Sequence, residues 1–158
     1  MQVNGYHARY LEIQLGSTAP FITATSHPIP ESVLRKYLGG SGLGAWILLR
    51  HDAPTMEPHA GPLAFVLSPL VGSPLTTSAK FAVVCRSPLT GRFNDALASS
   101  GFAISGKATG HDAIVVTGAA PSPSVIVIDD GEVRLEPASD LWGKTTTDTE
   151  ALLRERFD

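Results

Sequence analysis

The longest apolar runs in this chain are only five or six residues, and 15 glycines and 12 prolines are spread between them. Runs of that length suit strands of ordinary size. They fall well short of the roughly 20 apolar residues that cross a bilayer as a helix. With 158 residues, 43% of them hydrophobic and only 17% charged, the chain has the composition of one globular domain able to bury a core. The expectation is therefore a single domain over residues 1–158 built from many short elements joined by tight turns.

The period of each run gives its type. Leu11, Ile13 and Leu15 alternate with Tyr10, Glu12 and Gln14 over residues 8–15, the pattern of a half-buried strand. Residues 21–26 are β-rich and can pair with it across the Gly16–Pro20 turn. Pro30 with Glu31 predicts a helix start. Val33, Leu34, Tyr37 and Leu38 give that helix an apolar face, and Gly39-Gly40 predicts its end. A second helix is expected at 43–50 through Leu43, Trp46, Ile47 and Leu49, followed by a loop from Asp52 to Pro62. Residues 63–67, 81–85 and 113–116 read as buried strands. The small-residue stretch 92–110 fits either a short, closely packed helix or a loop. Ser124–Ile128 and Val133–Leu135 flank Asp129-Asp130-Gly131, a hairpin signal. Thr147 and Glu150 have capping-box spacing for a last helix, with Leu152, Leu153 and Phe157 as its buried stripe. This order predicts an α+β fold with mainly antiparallel sheet and short helices, not regular βαβ units.

Charge and chemistry-bearing residues exclude more than they assign. The net charge of −3, the pI of about 5.9 and the absence of a Lys/Arg block argue against a duplex nucleic acid partner. The first ten residues carry no apolar signal-peptide segment, so a cytoplasmic location is expected, with no membrane partner. The single cysteine, Cys85, rules out an internal disulfide framework and reads as an inert thiol at the end of a strand. No histidine pair has helical metal-site spacing. His51 and His59 near Asp52 and Glu57 read as solvated loop residues. No nucleophile-elbow motif is present, and no catalytic or metal-ligating residue is assigned. Lys80, Arg86, Arg92 and Lys107 are either positive charge gathered at one edge of the sheet, which would suit phosphates or carboxylates, or scattered surface charge, the commoner case.

The most conspicuous motif is Gly39-Gly40-Ser41-Gly42-Leu43-Gly44-Ala45. Gly40, Gly42 and Ala45 match the dinucleotide fingerprint in letters only, because a helix precedes them and no acid lies near position 65, which is Phe65. The remaining readings are a helix–helix corner where missing side chains let backbones approach, and bare N–H groups that meet an anion at the start of the second helix.

Five segments in register nevertheless resemble one family. RKYLGGSGLGAWILL (35–49), GPLAFVLSPLVGSPL (61–75), FAVVCRSPLTG (81–91), GHDAIVVTG (110–118) and DDGEVRLEPASDLWGKTTTDTEALLRE (129–155) are similar to the N-terminal domain of the tungsten-containing aldehyde:ferredoxin oxidoreductases. The resemblance implies a β-rich base on which a tungsten, or molybdenum, bis-pterin cofactor rests. It also implies helical domains that carry further pterin contacts and four cysteines for a [4Fe–4S] cluster. Together these convert an aldehyde to a carboxylic acid and pass electrons to ferredoxin.

Carried over by position, the implied cofactor-binding residues are Lys80, Leu97, Ser99, Ser41, Gly40 and Gly42. Four of them depart from the family: Lys80 and Ser41 stand where it has arginine, Leu97 where it has asparagine, and Ser99 where it has glycine. The expectation is a retained scaffold with an altered site. With the helical and Fe–S-binding domains absent from these residues and a single cysteine present, activity is expected only as part of a larger assembly, with those parts supplied by a partner chain or by further sequence. Two alternatives remain: a stand-alone, non-catalytic module binding a pterin, nucleotide or other anion, and a structural domain that forms a homodimer.

Overall fold

The computed structural model describes residues 5–157; the first four residues and the last of the expected 1–158 domain lie outside it. Six strands form one sheet: β1 (Arg9–Leu15), β2 (Ile22–Pro28), β3 (Leu63–Leu67), β4 (Lys80–Arg86), β5 (Phe93–Ser99) and β6 (Ala113–Gly118), in spatial order β2-β1-β6-β3-β4-β5. Only β1 and β6 run parallel; every other neighbouring pair is antiparallel. A separate hairpin is made by β7 (Ser124–Asp129) and β8 (Glu132–Pro137). The expected α+β, mainly antiparallel architecture is what the chain adopts.

Alternation along the strands divides the molecule into layers. One sheet face carries Tyr10, Ala64, Val66, Ala82, Val84, Ala113 and Val115, which pack with Leu34 of α1 (Glu31–Tyr37) and with Leu43, Ile47 and Leu48 of α2 (Gly40–Arg50). The other carries Leu11, Ile13 and Ile114, covered by Ile126, Ile128 and Val133 of the hairpin. Farther along that face, Ala103 of α3 (Gly101–Ala108) packs on Leu67, and Phe102 stacks on Phe65 and Phe81. The hairpin turn takes positive φ at both Asp130 (44°) and Gly131 (85°), as a two-residue turn of this hand requires.

Several expectations need correction. The stretch 92–110 is neither one helix nor a loop: it is β5, then α3, whose first turn is capped by the Ser100 hydroxyl accepting from Phe102 N–H at 3.2 Å. The second helix starts at Gly40 rather than 43, and α1 ends not on the glycines but on Leu38, at φ 60°. That conformation turns Leu38 outward to 61% exposure, and on α2 the inner residue is Leu48, with Leu49 outside. The final helix, α4 (Thr146–Phe157), is capped by Thr145, not Thr147. Thr145 Oγ1 donates to Asp148 at 2.7 Å and accepts its N–H at 3.2 Å. Its stripe is only half-buried at Leu152 and Leu153 and exposed at Phe157, because α4 stands over the hairpin across an open groove.

Candidate functional site

The pairing register explains why residues far apart in sequence meet. β4 and β5 pair Lys80 with Ser99, Ala82 with Leu97 and Val84 with Asp95. Ala82 and Val84 face the α1–α2 layer, so Lys80, Leu97, Ser99 and Asp95 stand on that side too. The approach of α2 to β4 is set by Gly44, where an added Cβ would lie 2.6 Å from Val84 Cγ2. At the start of α2, a Cβ on Gly42 would meet the Tyr37 carbonyl oxygen at 2.6 Å, and one on Gly39 the Leu67 carbonyl oxygen at 2.9 Å. The glycine cluster is thus a place of close backbone approach. No strand feeds it, so a dinucleotide fold is absent.

Around this helix start lies a cleft of about 330 Å³ whose walls include Gly39, Gly40, Pro69, Lys80 and Leu97. The Lys80 ammonium donates to Ser99 Oγ at 3.0 Å, and the Ser41 hydroxyl donates to the Asp95 carboxylate at 2.5 Å. Gly40 has φ +54°, and a Cβ there would meet nothing within 4 Å. No side chain caps the helix, so its first N–H groups present the positive end of the dipole to this corner. Leu97 is 73% exposed, and all of β5 is exposed along its length. The structure therefore brings five of the six expected residues to one place: Gly40, Lys80 and Leu97 on the cleft, Ser99 bound to Lys80, and Ser41 beside Gly40. Gly42, two residues along α2 from Gly40, packs on Tyr37.

The remaining candidates stand apart from this cleft. Lys80, Arg86 and Lys107 do not pool their charge. Arg86 is held by the carbonyls of Gly91 and Met56, and Lys107 by Asp112 at 2.5 Å. His51, read as a solvated loop residue, is instead half-buried at the end of α2, 3.8 Å from the Glu12 carboxylate, which also meets His27 Nε2 at 2.9 Å. Among the described residues no group of three acidic, histidine or cysteine side chains is arranged to hold a metal. Cys85 is half-buried and free.

Two polar residues escaped the sequence reading. Asp95, now the partner of Ser41, sits in a strand whose small residues hid its period. Asp112 is the one buried charged residue among those described, at 1% exposure. It accepts the N–H groups of His7 and Ala8 at 3.1 and 2.7 Å as well as the Lys107 ammonium. Its partners His7 and Ala8 lie more than a hundred residues away, so no local pattern could announce it.

A mixed sheet with a glycine-bared helix start, the exposed Lys80 and an exposed β5 strand thus forms an open cleft rather than an enclosed pocket. The sequence matches the family described as aldehyde ferredoxin oxidoreductase, N-terminal domain, over residues 10–158, and the chain belongs to that family. It is 35% identical to the tungsten-containing aldehyde ferredoxin oxidoreductase of Pyrococcus horikoshii across 96% of this chain, and 37% identical to that of Pyrococcus furiosus across 79%. It is 30% identical, over 73% of its length, to the aliphatic sulfonate oxidoreductase, WOR-like subunit, of Pyrococcus furiosus. It spans only 24%, 21% and 19% of those three proteins. A similar solved structure is the active site complex BamBC of benzoyl coenzyme A reductase with 1,5-dienoyl-CoA. Its TM-score is 0.87 at 25% identity, with 97% of this chain and 23% of that one covered. No described helix is long and apolar enough to cross a membrane.

Proposed function

We propose that these residues form the cofactor-bearing platform of a tungsten or molybdenum pterin oxidoreductase, inactive alone and completed by further domains, whether in the same polypeptide or on another chain. The observation that carries this reading is the cleft at the start of α2. It has a bare backbone at Gly40, an exposed ammonium at Lys80 and no carboxylate on its wall; Asp95 is engaged by Ser41. An anionic pterin with its phosphate fits that charge and that space. The Lys80 ammonium would hold a phosphate or pterin oxygen, and Ser99 would steer it through their hydrogen bond. The first N–H groups of α2 would meet the same anion. Leu97 offers no coordinating side-chain atom, so only its backbone carbonyl can serve a cation there. The bound cofactor would supply the oxygen-transfer and electron-transfer chemistry; these residues position and neutralise it.

The test is the native mass and metal content of the protein isolated anaerobically from its source. The expected result is a species larger than 16.6 kDa that contains tungsten or molybdenum, with iron held outside these 158 residues. A metal-free monomer overturns the reading in favour of a stand-alone anion-binding module, which the uncapped helix and open cleft also suit. A metal-free dimer points instead to a structural role, with the exposed Leu38 and Leu97 covered by a second copy.

A further inference from the structure

On the opposite face of the sheet the hairpin leans over β1 and β2. It leaves a cavity of about 200 Å³ walled by Leu11, Ala24, Ile128 and Val133, with Ser26 and His111 on its lining. Ser26 Oγ lies 3.1 Å from His111 Nε2, and His111 Nδ1 lies 3.3 Å from Thr109 Oγ1. The direction of this chain follows from its end. The single hydroxyl proton of Thr109 is given to the Gly106 carbonyl at 2.7 Å, so toward the imidazole Thr109 can only accept. His111 must then carry its proton on Nδ1, which leaves the Nε2 lone pair to receive the Ser26 hydroxyl.

The groups facing the ring keep it a base. Burial, the charge of Arg9 from β1 and the nearby His7 push the His111 imidazole below its ordinary value; the Thr109 backbone and Asp112 oppose them. Arg9 is anchored through Nε on the Gly110 carbonyl at 2.8 Å. The register pairs Leu11 with Ser26 and Arg9 with Pro28, so Arg9 shares a sheet face with Ser26. The serine, its base, the group that orients the base and a cation are thus gathered beside a cavity of acyl-chain size whose walls at Leu11, Ala24, Ile128 and Val133 are apolar.

We infer that Ser26 is a nucleophile toward short-chain acyl esters, with His111 as general base and Thr109 positioning the imidazole, at a site separate from the Lys80 cleft. Ser26 Oγ adds to the ester carbonyl carbon as its proton passes to His111 Nε2. The bond to the leaving alcohol then breaks, and His111 returns that proton to the departing oxygen, leaving an acyl ester on Ser26. Water, deprotonated by His111, releases the carboxylic acid and restores the hydroxyl. No electrons are exchanged.

The probe is p-nitrophenyl acetate with the purified 158-residue chain, following nitrophenolate release and mapping the acetyl group by peptide mass. The expected result is a burst approaching one equivalent per chain, with the acetyl group on Ser26. Ser26→Ala should lose it. General-base assistance contributes about 10²–10⁴-fold, so His111→Gln should slow acylation by roughly 100-fold or more. Thr109→Val leaves the ring in place, and should slow acylation by about tenfold through loss of the tautomer, a smaller share of that assistance. Circular dichroism checks that each variant is folded, and Thr109→Val carries the test if His111→Gln is not. An acetyl group found on a lysine, an undiminished burst in Ser26→Ala, or unchanged acylation in folded Thr109→Val overturns the inference.

Discussion

Lys107 reaches the Asp112 carboxylate at 2.5 Å with its side chain only 11% exposed, whereas Lys80 extends into solvent and meets only the Ser99 hydroxyl, at 3.0 Å. Asp112 also takes two backbone N–H groups from the segment entering β1, so every member of that network is satisfied inside the protein. Around Lys80 the opposite holds: a bare helix start, an exposed Leu97 and an edge strand with no cover. A closed polar network ties the chain to itself and leaves nothing for a ligand. An open one at a cleft keeps its charge available, at little cost to folding.

Removing the closed network should have the largest effect. Asp112→Ala strands the Lys107 charge and two backbone donors, and breaking a buried pair in this way costs about 3–5 kcal/mol. Urea unfolding measures it; a loss below about 1 kcal/mol would mean that water replaces the carboxylate freely and that the contrast with Lys80 is one of exposure alone.

The helix between the two regions can be probed at its glycines. In Gly44→Ala the new methyl lies 2.6 Å from Val84 Cγ2. Overpacking of this kind costs about 1–3 kcal/mol, against roughly 1 kcal/mol gained in helix propensity. A net loss of stability is expected, because Val84 is a stiff, fully buried β-branched residue. Gly40→Ala meets no atom within 4 Å but holds φ +54°. Its cost should be about 1–2 kcal/mol of backbone strain, and its new side chain should point into the cleft. If Gly44→Ala proves the milder change, α2 is not seated on β4 as tightly as the geometry requires.

Acidity should weaken the fold on both faces of the sheet. Burial lowers the pKa of His51, helped by His27 and Arg50 and opposed by Glu12 and Asp52; burial and Arg9 lower that of His111. A histidine whose folded pKa is depressed favours folding above its unfolded value of about 6.5, and that contribution is lost as pH falls through the depressed value. The urea midpoint should therefore decline between about pH 7 and 5, and His51→Gln and His111→Gln should each flatten part of the slope. A midpoint that is flat, or that rises toward acid, would contradict the neutral imidazoles assigned here.

How far the sequence could be read depended on whether the information was local. β1, β3, β4, β6 and the hairpin were legible because period-two or β-branched runs announce a pleated, buried face. β5 was not. Its residues, Phe93 through Ser99, are mostly small or polar and are exposed throughout, so nothing in them alternates clearly. The start of α2 was misplaced because glycines are turn signals in isolation; here they serve close packing on Tyr37, Leu67 and Val84. The candidate cleft was visible only through the family resemblance. Register alone brings Lys80 to Ser99 and Ala82 to Leu97. Asp112 with His7 and Ala8, and Ser26 with His111, join residues separated by 85 to 105 positions, beyond any pattern in one sequence.

The smallest expected change in stability is also the sharpest test of the comparison. Lys80 is exposed and bound to one hydroxyl, so Lys80→Ala should shift unfolding by no more than about 0.5 kcal/mol, as surface substitutions usually do. Its effect should fall instead on metal retention by the native assembly, because the cleft loses its one side-chain cation. Lys80→Arg keeps that charge and adds a planar fork matched to phosphate, so it should retain tungsten or molybdenum at least as well as the unaltered chain. Paired unfolding curves and metal analyses separate the cases. If Lys80→Ala unfolds easily, the lysine is structural like Lys107, and the contrast fails. If all three proteins are equally stable and hold metal equally well, the ammonium does not contact the cofactor, and the start of α2 must neutralise the anion unaided.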